Sequence, residues 1–258
     1  MVQSPESEIV NYTLTILIYA TDADELAPLA HVINSGIIPS LQSFLKSKNE
    51  ETLSLSLKIF NNLSYGADSQ TRILVDYGLI DFLHYVIGQE GTSKTNKKTA
   101  VFTLSNIMCS EPYQLQKCLE NKELVNLLIE MIHLEPFEVA KECIICFSNS
   151  TFRGTYAQLC FLIENGALNI FLETLTKPVN DVFLVEEVLQ AIGSILHTGS
   201  TNLINGHNLF KEKLEQLGLL VILDQLQMNE NETVRKCCMA LVDKYFEDSL
   251  IFQLNSIH

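Results

Sequence analysis

The sequence predicts an all-α fold, a right-handed superhelical solenoid of stacked helical repeats, and three observations carry that prediction. The first is an asparagine on a fixed beat. Asn62 in LSLKIFNNLSYG, Asn106 in KTAVFTLSNIMC and Asn149 in KECIICFSNSTFRGT lie 44 and 43 residues apart, and Ser194 in EEVLQAIGSILHTG follows 45 later. The second is another landmark in phase with it. Gly36, Gly78, Lys122 and Gly166 are spaced by 42, 44 and 44 residues, and Gly218 comes 52 later, which marks one longer connection. The third is that the segments between these landmarks read as helices alone. A helical period of about 40 to 47 residues is the signature of armadillo and HEAT repeats, each of which buries its apolar face against its neighbours.

Each repeat is expected to hold two short helices and a longer third one. Residues 9–20 read as the last helix of a partial first unit, with Ile16 and Ala20 at the special positions. The next unit, 24–66, has helices at 24–34, 37–46 and 51–65, with Gly66 expected as a C-cap. Unit 68–110 has helices at 69–75, 79–87 and 95–109, with GQEGTSKTNKK as a polar turn. Unit 113–152 has helices at 113–119, 124–133 and 138–151, the last opened by Pro136. Unit 156–198 has helices at 156–164, 168–174 and 182–197, with Pro178 ahead of the third. TGSTNLINGHN reads as an insertion, and unit 209–247 closes the stack with helices at 209–217, 219–227 and 232–246. The tail ending in IFQLNSIH is expected to cover the end of the stack. With no Ser/Gly/Pro-rich linker, residues 1–258 are expected to form a single domain.

Composition narrows the function classes. An apolar fraction of 47% with 19% charged residues excludes disorder. No apolar run is expected to reach the roughly 18 residues that span a bilayer. The N-terminus, MVQSPESEIVNY, lacks the basic and apolar regions of a signal peptide, which suits a soluble intracellular protein. A formal net charge of −14 disfavours nucleic acid, whose phosphates need Lys and Arg, and attracts basic ligands. The seven cysteines follow no framework spacing, and the C-x-x-C of Cys143 and Cys146 falls on the predicted core side of a helix, where small buried hydrophobes are expected. The six histidines form no ligand pair, so no metal or other cofactor is expected. No nucleophile motif, phosphate loop or paired carboxylates suggest an enzyme.

The third helices carry the candidate site. At 100° per residue Lys58 and Asn62 share one face while Leu53, Leu57 and Phe60 point inward. Thr99, Phe102 and Asn106 oppose Ala100, Val101 and Leu104. Glu142, Ile145 and Asn149 oppose Ala140, Cys143, Ile144 and Phe147. Glu187, Gln190 and Ser194 keep a polar stripe without the amide. A carboxamide offers a donor and an acceptor, so it can hold the N–H and C=O of an extended peptide whatever that peptide's sequence. Helices about 8–10 Å apart repeat such pairs every two or three residues of a strand. An asparagine near a helix end can also bond locally; three in phase point to a peptide groove.

At these residues a resemblance becomes specific. The stretch AVFTLSNIMCSEPYQLQKCLENKELVNLLIEMIHLEPFEVAKECIICFSNSTFRGTYAQLCFLIENGALNIFLETL resembles consecutive C-terminal armadillo repeats of the importin-α family, adaptors that carry cargo bearing nuclear localisation signals. LEQLGLLVILDQLQMNENETVRKCCMALVDKYFED is similar to that family's last repeat. The likeness covers about residues 9–247, as a stack resembling the fifth to tenth repeats, and is strongest over 98–199. It implies binding of basic cargo peptides or proteins, contact with nuclear transport factors, and residence in cytoplasm and nucleus.

In that family each third helix carries W-x-x-x-N, the Asn holding peptide backbone and the Trp walling a slot for a Lys or Arg stem, with an acidic residue three before the Trp in the minor site. Carried across, the Asn positions are Asn62, Asn106 and Asn149. The acidic position is Glu142, but Thr99 one repeat earlier. The Trp positions are Phe102 and Ile145, with Lys58 in the sixth-like repeat, where the family often has a basic residue; the chain has no Trp. Each lost aromatic platform is expected to weaken cation binding by about 0.5–2 kcal/mol. The stretch has no counterpart of the family's major-site repeats or of its basic importin-β-binding segment, so recruitment of the import carrier in the usual way is not expected of it. A scaffold that holds another partner on the same face is the alternative reading.

Overall fold

The computed structural model describes residues 5–22, 26–177 and 181–247, and these form sixteen α-helices. They pack into two compact units, Met1–Arg153 and Gly154–His258. The first holds α1 Pro5–Thr21, α2 Leu26–Asn34, α3 Ile38–Phe44, α4 Glu50–Ser64, α5 Asp68–Asp76, α6 Leu79–Gly88, α7 Lys94–Met108, α8 Pro112–Glu120, α9 Lys122–Leu134 and α10 Phe137–Phe152. Here α1, α4, α7 and α10 stack side by side as a row of long helices, while α2, α5 and α8 stack as a second row. The second unit holds α11 Tyr156–Glu164, α12 Ala167–Thr176, α13 Val182–Thr201, α14 Leu209–Gln216, α15 Leu219–Leu226 and α16 Glu232–Tyr245. Within it α13 packs on α16 and α12 on α15.

The repeat plan follows from local chemistry at two places. The long helices α4, α7 and α16 open on side chains that satisfy their orphan N–H groups. Asn49 Oδ1 accepts from Glu51 N and Thr52 N, Ser93 Oγ from Asn96 N, and Asn231 Oδ1 from Thr233 N and Val234 N. The corner between the first and second helices is the other place. Gly36, Gly78, Gly166 and Gly218 all sit there at φ between 79° and 92°, a region that costs a Cβ-bearing residue about 1–2 kcal/mol. At the Lys122 landmark the corner is built differently. Asn121 turns the chain at φ −83°, and its Oδ1 accepts from Leu124 N, so that repeat needs no glycine.

Several boundaries differ from expectation. Gly66 is no left-handed cap; a Cβ there would lie 2.3 Å from Gln70 Oε1, which accepts the Ala67 N–H at 2.9 Å, so the glycine makes room for the start of α5. The polar segment after α6 ends at Ser93, and Lys94 to Lys98 already belong to α7. The expected insertion begins late, because α13 runs on to Thr201. Asn208 Nδ2 donates to Leu196 O at 3.0 Å and ties the connection back onto that helix. The turn closes through Asn205 and Gly206 at φ 53° and 85°, bridging Ile204 to His207. Asp24, Pro178 and the tail IFQLNSIH lie outside the described residues.

Among the described residues the core is aliphatic with four fully buried phenylalanines, Phe60, Phe147, Phe171 and Phe246. Leu53, Leu57 and Phe60 of α4 and Ala100, Val101 and Leu104 of α7 are all buried, as their spacing predicts. At 20 residues and a mean hydropathy of 1.2, α13 is long and apolar enough to cross a bilayer, which corrects the expectation that no such run exists. Half of it is nevertheless buried within the fold, and its apolar stripe packs on α12, α14 and α16 as a core helix does.

Candidate functional site

The three asparagines lie on α4, α7 and α10, which stack in succession within the first unit. Each is half-buried, and each reaches back to the helix before it. Asn62 Nδ2 donates to Thr21 Oγ1 of α1 at 3.1 Å, Asn106 Nδ2 to Ser64 Oγ of α4 at 2.8 Å, and Asn149 Nδ2 to Ser105 Oγ of α7 at 2.8 Å. The amide orientation follows from proton bookkeeping. Thr21 spends its hydroxyl proton on Leu17 O and Ser64 spends its own on Asn61 O, so both oxygens must accept from the asparagine. Among the described residues nothing donates to the three Oδ1 atoms. A row of fixed carbonyl oxygens is therefore held by hydroxyls of neighbouring helices; Asn106 and Asn149 each keep a second N–H beside the oxygen, whereas that of Asn62 also turns to Ile18 O at 3.5 Å.

The surroundings of that row differ from rung to rung. On α4 Lys58 is exposed one turn before Asn62. On α7 the half-buried Phe102 lies one turn before Asn106, with the exposed Tyr65 ring meeting it edge-on at 6.2 Å between centroids. Tyr65 was not among the expected site residues. Its signal was available, since it follows Asn62 by three positions on the same face. Thr99 turns its hydroxyl to Thr95 O and makes no link to the next helix.

On α10 the expectation fails in part. Glu142 and Ile145, which helical spacing places on the open side with Asn149, are each only 7% exposed. The cause is that α10 is covered around most of its girth, with residues 139–148 buried except for Lys141. Glu142 keeps one outlet. Burial raises its carboxyl above the ordinary carboxylate value, opposed by Lys98 and Lys141, and Lys98 Nζ lies 3.6 Å from Oε1. Ile145 has no free face to wall a slot.

The C-x-x-C on the same helix is structural. Cys146 donates its S–H to Val101 O of α7 at 3.3 Å, and burial pushes the thiols of Cys143 and Cys146 well above their usual range. Among the described residues no group of three or more His, Cys, Asp or Glu could hold a metal ion. In the second unit the corresponding long helix offers Glu187 and Ser194 half-buried and Gln190 exposed, and α16 meets α13 through Tyr245, whose hydroxyl donates to Gly193 O at 3.5 Å.

The fold and this row of long helices define an armadillo-repeat protein. A designed armadillo repeat protein in complex with the peptide (KR)4 matches with a TM-score of 0.81 at 26% identity, over 94% of this chain and 95% of that one. A second designed armadillo repeat protein matches at 0.78 with 24% identity, over 93% and 95%. In sequence the chain is similar to importin α subunits. It is 25% identical over 251 residues to importin subunit alpha-1a of Oryza sativa subsp. japonica, covering 96% of this chain and 47% of that protein. It is 25% identical over 252 residues to importin subunit alpha-3 of Arabidopsis thaliana, covering 96% and 46%. The chain thus spans about half the length of the curated relatives it matches. No family model matches the sequence.

Proposed function

We propose that the face bearing Asn62, Asn106 and Asn149 is a groove for the main chain of an extended basic peptide, and that the protein is an importin-α-like adaptor binding nuclear localisation signals for protein import. The observation that carries this reading is the row of three anchored carboxamides with unclaimed carbonyl oxygens. Each Oδ1 accepts a peptide N–H, and at Asn106 and Asn149 the remaining amide N–H donates to a peptide C=O. Anchoring to Thr21, Ser64 and Ser105 lowers the entropy lost on binding, because the side chains are already held in place. Phe102, edged by Tyr65, receives the stem of a Lys or Arg, while Lys58 disfavours a cation at the α4 rung. The role is non-catalytic, in cytoplasm and nucleus, with cargo proteins and nuclear transport factors as partners.

The designed armadillo repeat protein in complex with (KR)4 supports basic ligands on this fold, and the −14 net charge favours their approach. The test is a titration of a fluorescent Lys/Arg-rich peptide. The Asn106→Ala, Asn149→Ala double variant should bind at least about tenfold more weakly, since each lost hydrogen bond is worth about 1 kcal/mol, and parent binding should weaken with salt. Equal binding by parent and variant would show that the groove lies elsewhere. The covered Glu142 favours a second reading, an armadillo scaffold for a less basic partner. Preference for a neutral or acidic peptide in the same titration selects it.

A further inference from the structure

We propose that Lys98 is a built-in occupant of the groove, filling the buried acidic position of the α7–α10 rung and restricting the ligand to a single strongly read cation, at Phe102. This rests on the groove reading above and deepens it into a ligand preference. Lys98, Phe102 and Asn106 follow one another at intervals of four along α7, so the lysine lies on the same stripe as the aromatic and the amide. Its ammonium crosses to α10, 3.6 Å from Glu142 Oε1 and 3.8 Å from Glu138 Oε2. The Glu142 side chain is only 10% exposed and that of Lys98 is 45% exposed, so the lysine covers the carboxylate from the solvent side. Beside it Lys97 meets Glu135 at 2.5 Å, a second lysine tie between the same two helices.

A ligand cation at this rung must therefore displace a lysine that cannot diffuse away. A tethered group competes at an effective concentration in the millimolar range, far above any free peptide. At the α4–α7 rung nothing comparable intervenes, because Thr99 bonds within its own turn and Phe102 stays half-exposed. The preferred ligand is then an extended peptide with Lys or Arg facing Phe102 and an uncharged side chain one rung further on.

The test is Lys98→Met, which keeps the stem and removes the charge, read with a set of peptides carrying a single Lys at each position and one carrying Lys at two positions a rung apart. The parent should show one Lys-sensitive position. The variant should gain a second and bind the doubly basic peptide about three- to fivefold more tightly, in line with a partly exposed ion pair. Adding Glu142→Gln should abolish that gain. If the parent already reads two cations, or Lys98→Met binds no more tightly while Asn106→Ala, Asn149→Ala still lowers parent binding, the occupant is refuted and the groove stands. If neither the parent nor Lys98→Met binds any of these peptides, both readings fall. A thermal midpoint for Lys98→Met within a few degrees of the parent's confirms that the exchange leaves the fold intact.

Discussion

The α4–α7 and α7–α10 rungs carry the same amide tie and differ in what lies next to it. In both, an asparagine donates at 2.8 Å to a serine on the preceding helix, Asn106 to Ser64 and Asn149 to Ser105. Beside Asn106 the face is open and aromatic, with Phe102 and Tyr65. Beside Asn149 it is covered, with Ile145 and Glu142 buried and the residual charge met by Lys98. The lesson is that a repeat can preserve the group that holds a ligand's backbone while changing the groups that read its side chains. The second unit drops the amide for Ser194, a group with a shorter reach.

The comparison can be broken most forcefully from below. Phe60 of α4 and Phe147 of α10 are both completely buried, so Phe60→Ala and Phe147→Ala should each cost about 3–5 kcal/mol in chemical denaturation. Similar losses would show that the two rungs share one kind of floor and differ only on the face. A loss below about 1 kcal/mol at either site would contradict the packing described for it. The ties come next. Asn106→Ala and Asn149→Ala should each lower stability by about 1 kcal/mol, measured by urea midpoint, because Ser64 or Ser105 then loses a donor. Unchanged midpoints would mean that the asparagines do not bridge the helices.

The smallest effect separates the rungs by pH. Glu142 has a folded-state pKa above its ordinary value through burial, so the native state holds its proton more tightly than the unfolded chain does. Stability from this group is therefore greatest in acid and declines as pH rises from the usual carboxylate value through the raised one. Glu142→Gln should flatten that decline and be at least as stable as the parent at neutral pH, as seen in urea midpoints from pH 4 to 7. A variant less stable than the parent at neutral pH would mean that the Lys98 attraction outweighs burial. Thr99, at the matching position of the open rung, has no such titration.

Much of the fold could be read directly from the chain. The glycine beat marked four left-handed corners, and the apolar spacing of Leu57, Phe60, Val101 and Leu104 marked the inward faces, because both are local properties of helix geometry. Misreadings came where a side chain folds back onto a helix end. Gly66 looks like a cap until Gln70 is placed above it, and the reach of α13 to Thr201 depends on Asn208 bonding to Leu196 O. The site divides the same way. That Asn62, Asn106 and Asn149 share a register was visible in their spacing. Which face is open was not, since a helical wheel gives directions but not neighbours.

The sequence by itself determined the repeat length, the helix order and the phase of the asparagines, since helix patterning is local to a turn or two and the beat can be counted along the chain. Only the tertiary structure decided that Ser64 and Ser105 hold those amides, that Tyr65 edges Phe102, and that Lys98 covers Glu142. Each of these joins residues about 37 to 44 positions apart, and contacts of that separation exist only once the helices have stacked and excluded water between them.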